Sequence, residues 1–178
     1  MDKDLKIIKR KVKYPRIELK TGILTLILPK DRKISPAQFI KRHKSWIESK
    51  RRLIEELKQE YKNKKLIQRS EKRLFFLVNE LIPLIERKLQ IKPKKISFRL
   101  MKTKWGSCSK GKTISFNVLM KYLPKHLIRY IIFHEMAHLL VPKHNKNFWY
   151  FIQKEFPQYK EYERTLLGYW FLINSEAI

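Results

Sequence analysis

Four short stretches of this chain have the apolar content and the flanking turn residues of β-strands. Residues 17–20 and 23–28 flank a turn that contains Gly22, and together they predict a short hairpin. Residues 95–100 alternate between apolar and polar positions, and residues 113–117 form a second short strand soon after them. The proximity of these two strands in the sequence predicts a second hairpin. We therefore expect a small antiparallel sheet.

Most other apolar residues recur every three or four positions, which is the spacing of amphipathic helices. Ser35 before Pro36, and Ser70 before a dense apolar pattern, favour the start of a helix. Pro83 should kink or split the second of these helices, because proline lacks the N–H that a helix interior uses. Further helices are predicted in residues 50–65, 124–140, 148–152 and 159–169, the last ending at Gly168. This mixture of helices and strands predicts an α+β fold.

A length of 178 residues with 43% apolar residues is typical of one domain with one core. We expect a single domain over residues 1–178, made of a β-hairpin region (1–34), a helical region (35–92) and a C-terminal core (93–178). Cys108 is the only cysteine, which excludes an internal disulfide and fits a reducing compartment. The N-terminus lacks a signal-peptide pattern and no apolar run could span a membrane, so a cytoplasmic location is predicted.

The formal net charge is +26, which predicts association with polyanions through counterion release. Residues 1–100 contain 30 Lys and Arg against 11 Asp and Glu, so most of the charge lies in this basic N-terminal region. The charged helix predicted in residues 50–65 is the best place for DNA or RNA to bind. A lysine-rich surface that only contacts water explains the charge equally well.

The chemistry of the chain is concentrated in the sequence His134-Glu-Met-Ala-His138. Residues four apart lie on one face of a helix, so the two imidazoles can bind one metal ion. Glu135 is rotated by about 100° from His134, which places it beside the metal without making it a ligand. This H-E-x-x-H pattern is typical of zinc hydrolases, in which the glutamate accepts a proton from water.

A catalytic zinc site needs a third protein ligand. His144 is the nearest candidate, and Pro142 should end the helix so that the chain turns after Leu140 and brings His144 back. Cys108 is a weaker candidate, and we expect the later glutamates not to bind the metal. Those glutamates are Glu155, which should face solvent, and Glu161 and Glu163.

The C-terminal half resembles the YgjP-like metallopeptidases, which are relatives in fold of the SprT-like and Wss1-like proteases. The resemblance rests on five segments: Arg99–Lys102, Trp105–Ser109, Phe116-Asn117, His134–His138 and His144–Trp149. The family usually has serine after the third histidine, where this chain has Asn145. The resemblance implies a zincin-like fold with one Zn²⁺ per chain, bound by His134, His138 and His144.

The resulting hypothesis is a zinc-dependent peptidase that acts on polypeptides, with Glu135 as the general base. The residues proposed to contact the substrate or the oxyanion are Arg99, Lys102, Trp105, Asn117 and Tyr130. Two alternatives stay open. The family resemblance and the basic segment 99–112 suggest a nucleoside triphosphate pyrophosphatase with a nucleotide substrate. The net charge and the SprT-like relatives suggest a protease associated with DNA, or a nucleic-acid-binding protein.

Overall fold

The computed structural model describes residues 5–19 and 22–176. The chain divides into two compact units, residues 1–62 and 63–178. The boundary between the units falls inside the region 35–92 that the sequence suggested as one helical region. The organisation as a single domain over residues 1–178 stays a prediction.

The first unit contains a three-stranded sheet in the order β1-β3-β2. Strands β2 (Arg16–Glu18) and β3 (Leu24–Pro29) pair in antiparallel orientation, which confirms the first predicted hairpin. Positions 20 and 21 of its turn lie outside the described residues. Strand β1 (Leu5–Arg10) pairs with the other side of β3 in parallel orientation. Strand β3 is therefore central, and five of its six residues are buried.

Two helices complete the first unit. Helix α1 (Pro36–Arg42) begins at Ser35, whose hydroxyl accepts a hydrogen bond from the N–H of Gln38, as the cap prediction requires. Helix α2 (Lys44–Tyr61) buries residues spaced three, four and seven apart and exposes its charged positions. Its buried residues are Ile47, Ile54, Leu57 and Tyr61.

The second unit contains another three-stranded sheet, in the order β4-β6-β5. Strands β4 (Lys95–Arg99) and β6 (Thr113–Asn117) are parallel, so the prediction that they form a hairpin was wrong. The hairpin is formed by β5 (Gly106–Cys108) and β6. The sequence between β4 and β6 is long enough to contain this third strand, which reverses the chain direction. Both sheets are mixed rather than antiparallel, and the α+β class is confirmed.

Helix α3 (Glu71–Leu89) is capped by Ser70, as predicted, and runs through Pro83 without being split. Pro83 and Asn79, whose carbonyl loses its partner, are both exposed, so water can hydrate that carbonyl. Buried residues before and after the proline keep the helix packed on the core.

Helix α4 (Lys125–Ala137) lies at the centre of the second unit and contacts α3, β5 and the two helices that follow it. Nine of its 13 residues are buried. Helix α5 (Lys146–Glu155) follows, and α6 (Tyr159–Glu176) continues past Gly168, where the sequence predicted an end. Trp170, Leu172 and Ile173 are buried, so packing of the helix continues beyond the glycine. No helix in the described part of the chain has an apolar stretch that could cross a membrane.

Candidate active site and metal centre

The end of α4 brings His134 and His138 together. The regular helix ends at Ala137, three residues before the predicted turn, but His138 keeps helical dihedral angles of φ −66° and ψ −17°. It therefore lies on the same helix face as His134. The N–H of Leu140 then bonds the carbonyl of Ala137 at 3.0 Å, and the N–H of Val141 bonds the same carbonyl at 2.9 Å. These bonds turn the chain just before Pro142.

The turn returns His144 to the two helix histidines. Its Nε2 atom lies 3.0 Å from Nε2 of His134 and 3.1 Å from Nε2 of His138. In the described part of the chain, these three residues are the one group of His, Cys, Asp or Glu side chains close enough to share a metal ion. Cys108, the weaker candidate, is not in this group. The predicted ligand set is therefore brought together in space.

The aromatic residues at the start of α5 hold the three imidazole rings in place. The ring of Phe148, which is fully buried, lies 5.0 Å from that of His134, 4.4 Å from His138 and 4.7 Å from His144. The side chain of Asn145 accepts a hydrogen bond from the N–H of Phe148 and caps α5. Serine is also a favoured cap residue, so Asn145 performs the same local role as the serine usual at this position.

The chemistry of the histidines suits a metal ion. Nδ1 of His138 lies 3.1 Å from the carbonyl of Val141 and donates to it, which leaves the lone pair of Nε2 facing the cluster. Tetrahedral zinc with Zn–N bonds of about 2.05 Å separates its nitrogen ligands by about 3.3 Å. The observed separations of 3.0 and 3.1 Å are close to this value. The three residues therefore fit a zinc ion.

The pKa values of the three histidines are all lowered. Burial, with smaller effects from His138 and His144, lowers the pKa of His134 to about 3. Burial also lowers the pKa of His138 and, together with the neighbouring His138, that of His144. The imidazoles are therefore neutral at neutral pH, which is the form that binds metal.

Glu135 lies between α4 and strand β5. Its side chain is buried, and the N–H of Cys108 donates a hydrogen bond to its carboxylate. A Cβ atom on Gly106 would be 2.6 Å from Cγ and 2.8 Å from Oε1 of Glu135, so only glycine allows the strand to come this close. Burial raises the pKa of Glu135 to about 7, although the charge of Lys104 and the Cys108 hydrogen bond lower it.

Asn117 was expected near the substrate, but the structure gives it a scaffold role. Its side chain is fully buried and accepts hydrogen bonds from the N–H groups of Met101 and Leu119. Its amide donates to the carbonyls of Met101 and Lys104, at 2.8 and 2.9 Å. Both donor hydrogens are used, so the proposal that Asn117 stabilises an oxyanion does not fit these contacts.

Tyr130 lies close to the histidines, and its hydroxyl is also committed. The ring is 1% exposed, and the hydroxyl donates to Oε1 of Glu163 at 2.5 Å. Burial, and then the charge and hydrogen bond of Glu163, raise the pKa of the Tyr130 phenol. Partial burial likewise raises the pKa of Glu163. These contacts do not support a role for Tyr130 as an oxyanion donor.

The remaining predicted substrate residues are Arg99, at the end of β4, and Lys102 and Trp105, on the segment between β4 and β5. Arg99 and Lys102 are exposed, and no hydrogen bond or ion pair in the described structure links them to the histidine cluster. Trp105 packs edge-on against Trp170 at 5.0 Å. Cys108 has a raised pKa, caused by burial and by the charge of Glu135, so its thiol stays protonated. Roles of Arg99, Lys102 and Trp105 in substrate binding stay predictions.

Sequence reasoning missed Gly106 and Lys104 as neighbours of Glu135, and Glu163 as a neighbour of His134. The position of Gly106 in a strand was an available signal, since glycine there often marks a close approach of the backbone. Glu155 does not face solvent as predicted. Its carboxylate is 8% exposed and forms ion pairs with Lys88 and Arg129, which connects α5 to α3 and α4.

Helix α2 ends at Tyr61, so Lys62, Lys64 and Lys65 of the charged stretch predicted at residues 50–65 lie beyond it. The helix contains five Lys and Arg residues and four glutamates. Lys44 pairs with Glu48, and Lys58 pairs with Glu55. The local charges of α2 therefore nearly cancel, and binding of DNA or RNA stays a prediction that rests on the net charge of the chain.

Comparison with known proteins identifies the family. A family model described as YgjP-like, metallopeptidase domain matches residues 51–168. The chain belongs to this family. It is accordingly a zinc metallopeptidase, and its substrates are polypeptides. A comparison with curated proteins returns no match.

Two solved structures are similar to part of this chain. One is the metallopeptidase zymogen abylysin of Pyrococcus abyssi, with 27% identity over 51% of this chain and 91% of the other, and a TM-score of 0.47. The other is the metallopeptidase zymogen jannalysin of Methanocaldococcus jannaschii, with 21% identity over 56% of this chain and 90% of the other, and a TM-score of 0.46.

Proposed function

We propose that this YgjP-like metallopeptidase hydrolyses peptide bonds with one zinc ion bound by His134, His138 and His144, and with Glu135 as the general base. The observation that carries the proposal is the convergence of three imidazole Nε2 atoms. The buried Glu135 directly follows the first of these histidines in helix α4. When bound, zinc supplies Lewis acidity that polarises a carbonyl and makes water more acidic. The three imidazoles are neutral, and the Nδ1–H of His138 is used by Val141, which leaves the Nε2 lone pair of His138 for zinc.

Glu135 accepts the proton of the attacking water and later returns it to the leaving amine. Burial raises the pKa of this carboxylate, and a raised pKa strengthens a general base. The N–H of Cys108 holds the carboxylate, and the backbone at Gly106 closes one side of it. These contacts reduce the number of orientations that the carboxylate can adopt before the reaction.

An extended peptide substrate has a place to bind at strand β5. The strand order β4-β6-β5 leaves β5 at the edge of the sheet, with its inner side paired to β6. The N–H of Cys108 points to Glu135, so the outer edge of β5 faces the catalytic carboxylate. A substrate strand added to this edge would bond the backbone groups of β5 that Glu135 does not use, and such pairing tolerates many side chains.

The experiment that tests this proposal compares the zinc-loaded chain with its Glu135→Gln variant. Glutamine keeps the size of the side chain but cannot accept the proton, so hydrolysis should fall by about 10²–10⁴-fold. Zinc content, measured by metal analysis, should stay the same. Glu161→Gln, an exposed glutamate on α6, is the matched control. Turnover of the Glu135→Gln variant at the wild-type rate would disprove the role of Glu135.

The substrates of this comparison are chosen to separate the alternatives. They should include an unfolded polypeptide, a protein crosslinked to DNA, and nucleoside triphosphates. Cleavage of the unfolded polypeptide alone supports a general peptidase. A strict requirement for DNA supports the DNA-associated protease, and release of pyrophosphate that is lost in Glu135→Gln supports the pyrophosphatase.

A further inference from the structure

One nitrogen of the histidine cluster lacks a partner. Nδ1 of His134 is buried and forms no hydrogen bond, and it is the one such side-chain atom found in the described part of the chain. A buried N–H without an acceptor loses its hydrogen bond to water and gains none in return, so an unpartnered atom of this kind needs an explanation.

The contacts among the three histidines favour the tautomer of His134 that carries its hydrogen at Nδ1. His138 donates its Nδ1–H to Val141, so its Nε2 has a lone pair. The single Nε2–H that His144 can supply lies between two acceptors, Nε2 of His134 and Nε2 of His138. His134 then presents a lone pair at Nε2 and must carry its proton at Nδ1. Binding of zinc at Nε2 requires the same tautomer.

Glu163 provides the nearest acceptor for this N–H. Its Oε1 atom lies 3.8 Å from Nδ1 of His134, and Glu163 is not part of the group that could share a metal ion. Tyr130, one helical turn before His134, donates its hydroxyl to this same oxygen at 2.5 Å. Because the Glu163 side chain is 46% exposed, it has room for the shift of about 1 Å that would form a hydrogen bond.

We propose that Glu163 is a positioning residue for the metal centre: its carboxylate accepts the Nδ1–H of His134, and the hydroxyl of Tyr130 holds the same carboxylate oxygen in place. The proposal rests on the proposed function only in taking His134 as a metal ligand. A carboxylate at this nitrogen fixes the tautomer and the ring orientation of a ligating histidine and makes its other nitrogen more basic. This arrangement also gives the buried Tyr130 hydroxyl a purpose that substrate binding does not supply.

The position of Glu163 argues against a role as the metal ligand itself. It faces Nδ1 of His134, whereas the atoms that converge are the Nε2 atoms. In the described residues, no carboxylate joins the group that could share a metal. Glu163 therefore acts through His134.

The test measures the tautomer of His134 by long-range ¹H–¹⁵N NMR in the full chain, both stripped of metal and loaded with zinc. The variants are Glu163→Ala, Glu163→Gln and Tyr130→Phe, with Glu161→Gln on the same helix as the control. Wild type should show His134 with Nδ1–H in both states, and zinc should shift the Nε2 signals of all three histidines. In metal-free Glu163→Ala, the population should move toward the Nε2–H form.

Zinc affinity, measured by competition with a chromophoric chelator, provides the second readout. Loss of Glu163 should weaken zinc binding by about 10–100-fold, which is typical when a residue that hydrogen-bonds a metal ligand is removed. Glu163→Gln should lose less, because its amide oxygen can still accept the N–H, and Glu161→Gln should match wild type. Thermal unfolding without metal identifies any variant that fails to fold. Tyr130→Phe, which removes the hydroxyl that holds Glu163, is an independent test of the contact between Glu163 and His134.

An Nε2–H tautomer of His134 in wild type, or an unchanged tautomer and zinc affinity in folded Glu163→Ala, would overturn the proposal. A zinc-bound wild type in which the His144 signals do not respond would also overturn it, because Glu163 would then be a candidate third ligand. The tautomer is read without any reaction. A chain that shows these tautomers but cleaves no peptide would therefore refute the proposed function and leave this inference standing.

Discussion

Gly106 lies so close to Glu135 that no side chain fits between the strand and the carboxylate. A Cβ atom at position 106 would be 2.6, 2.8 and 2.9 Å from three atoms of the Glu135 side chain. Both residues are buried, so neither can move into solvent to relieve the contact. The glycine of the Trp105–Ser109 motif is therefore explained by the space that the Glu135 side chain occupies.

Gly106→Ala should consequently displace the Glu135 carboxylate. We expect peptide hydrolysis to fall by at least about 10²-fold, because a misplacement of about 1 Å in a catalytic group can cause a loss of this size. Zinc should stay bound. Stability should fall by about 1–3 kcal/mol, the usual effect of overpacking. Measurements of kcat/KM, zinc content and thermal unfolding check these expectations.

Gly111→Ala is the matched control, since its added Cβ would meet Ser109 Oγ at an ordinary 3.7 Å. It should behave like wild type in all three measurements. Equal activity of the two alanine variants would show that the close approach of β5 has no influence on the base.

Local signals in the sequence predicted those parts of the fold that depend on near neighbours. Ser35 and Ser70 cap α1 and α3 because the cap geometry is set by residues three positions apart. The pairing of β4 with β6 could not be predicted in this way. Two strands that are adjacent in a sheet can be parallel or antiparallel depending on what joins them, and the three-residue strand β5 is too short to give a clear periodic pattern.

The histidine cluster was predictable for the same local reason, because helical periodicity and Pro142 suffice to place His134, His138 and His144 together. The contacts behind the cluster depend on distant parts of the chain. Glu163 reaches His134 from α6, and Gly106 reaches Glu135 from β5. No spacing rule connects such positions. The prediction that Glu155 faces solvent was wrong for the same reason, because its partners Lys88 and Arg129 lie on α3 and α4.

Removal of the Asn117 side chain should affect stability first. Asn117→Ala leaves the buried backbone groups of Met101 and the carbonyl of Lys104 without their partners. Each buried unsatisfied group costs about 1–3 kcal/mol, so we expect the two buried groups of Met101 alone to cost about 2–6 kcal/mol. Urea unfolding at constant zinc checks this value. A variant as stable as wild type but with greatly reduced turnover would instead support the oxyanion role that its contacts argue against.

The net charge of +26 predicts binding to nucleic acid that weakens steeply with salt. Neutralisation of six phosphates would give a slope of about −5 in a plot of log affinity against log salt on duplex DNA. Lys50→Gln/Arg52→Gln, on the exposed side of α2, tests whether that helix contributes. If nucleic acid contacts α2, this double variant should reduce the slope by about 1–2.

The control Lys110→Gln/Lys125→Gln removes the same charge from exposed positions elsewhere. Absence of binding at low salt would leave the charge as a solvated surface.

The identity of the third ligand decides which kind of zinc site this chain has. His144 brings its Nε2 atom to 3.0 and 3.1 Å from those of the helix histidines. Glu155, the nearest later glutamate, is already paired with Lys88 and Arg129. Removal of a residue that only hydrogen-bonds a metal ligand weakens zinc binding by ~10–100-fold. We expect His144→Ala to lose more than this, because it removes a ligand.

Glu155→Gln separates a ligand role from a structural one. Its cationic partners are about half exposed, with exposures of 56% for Lys88 and 49% for Arg129, so water can solvate them when the carboxylate is removed. The variant should therefore lose about 1–3 kcal/mol of stability and keep its zinc. Metal content after dialysis against a weak chelator, with thermal unfolding in parallel, distinguishes the two effects. If His144→Ala retained one zinc per chain while folded Glu155→Gln lost it, the glutamate would be the ligand and His144 a solvated loop residue.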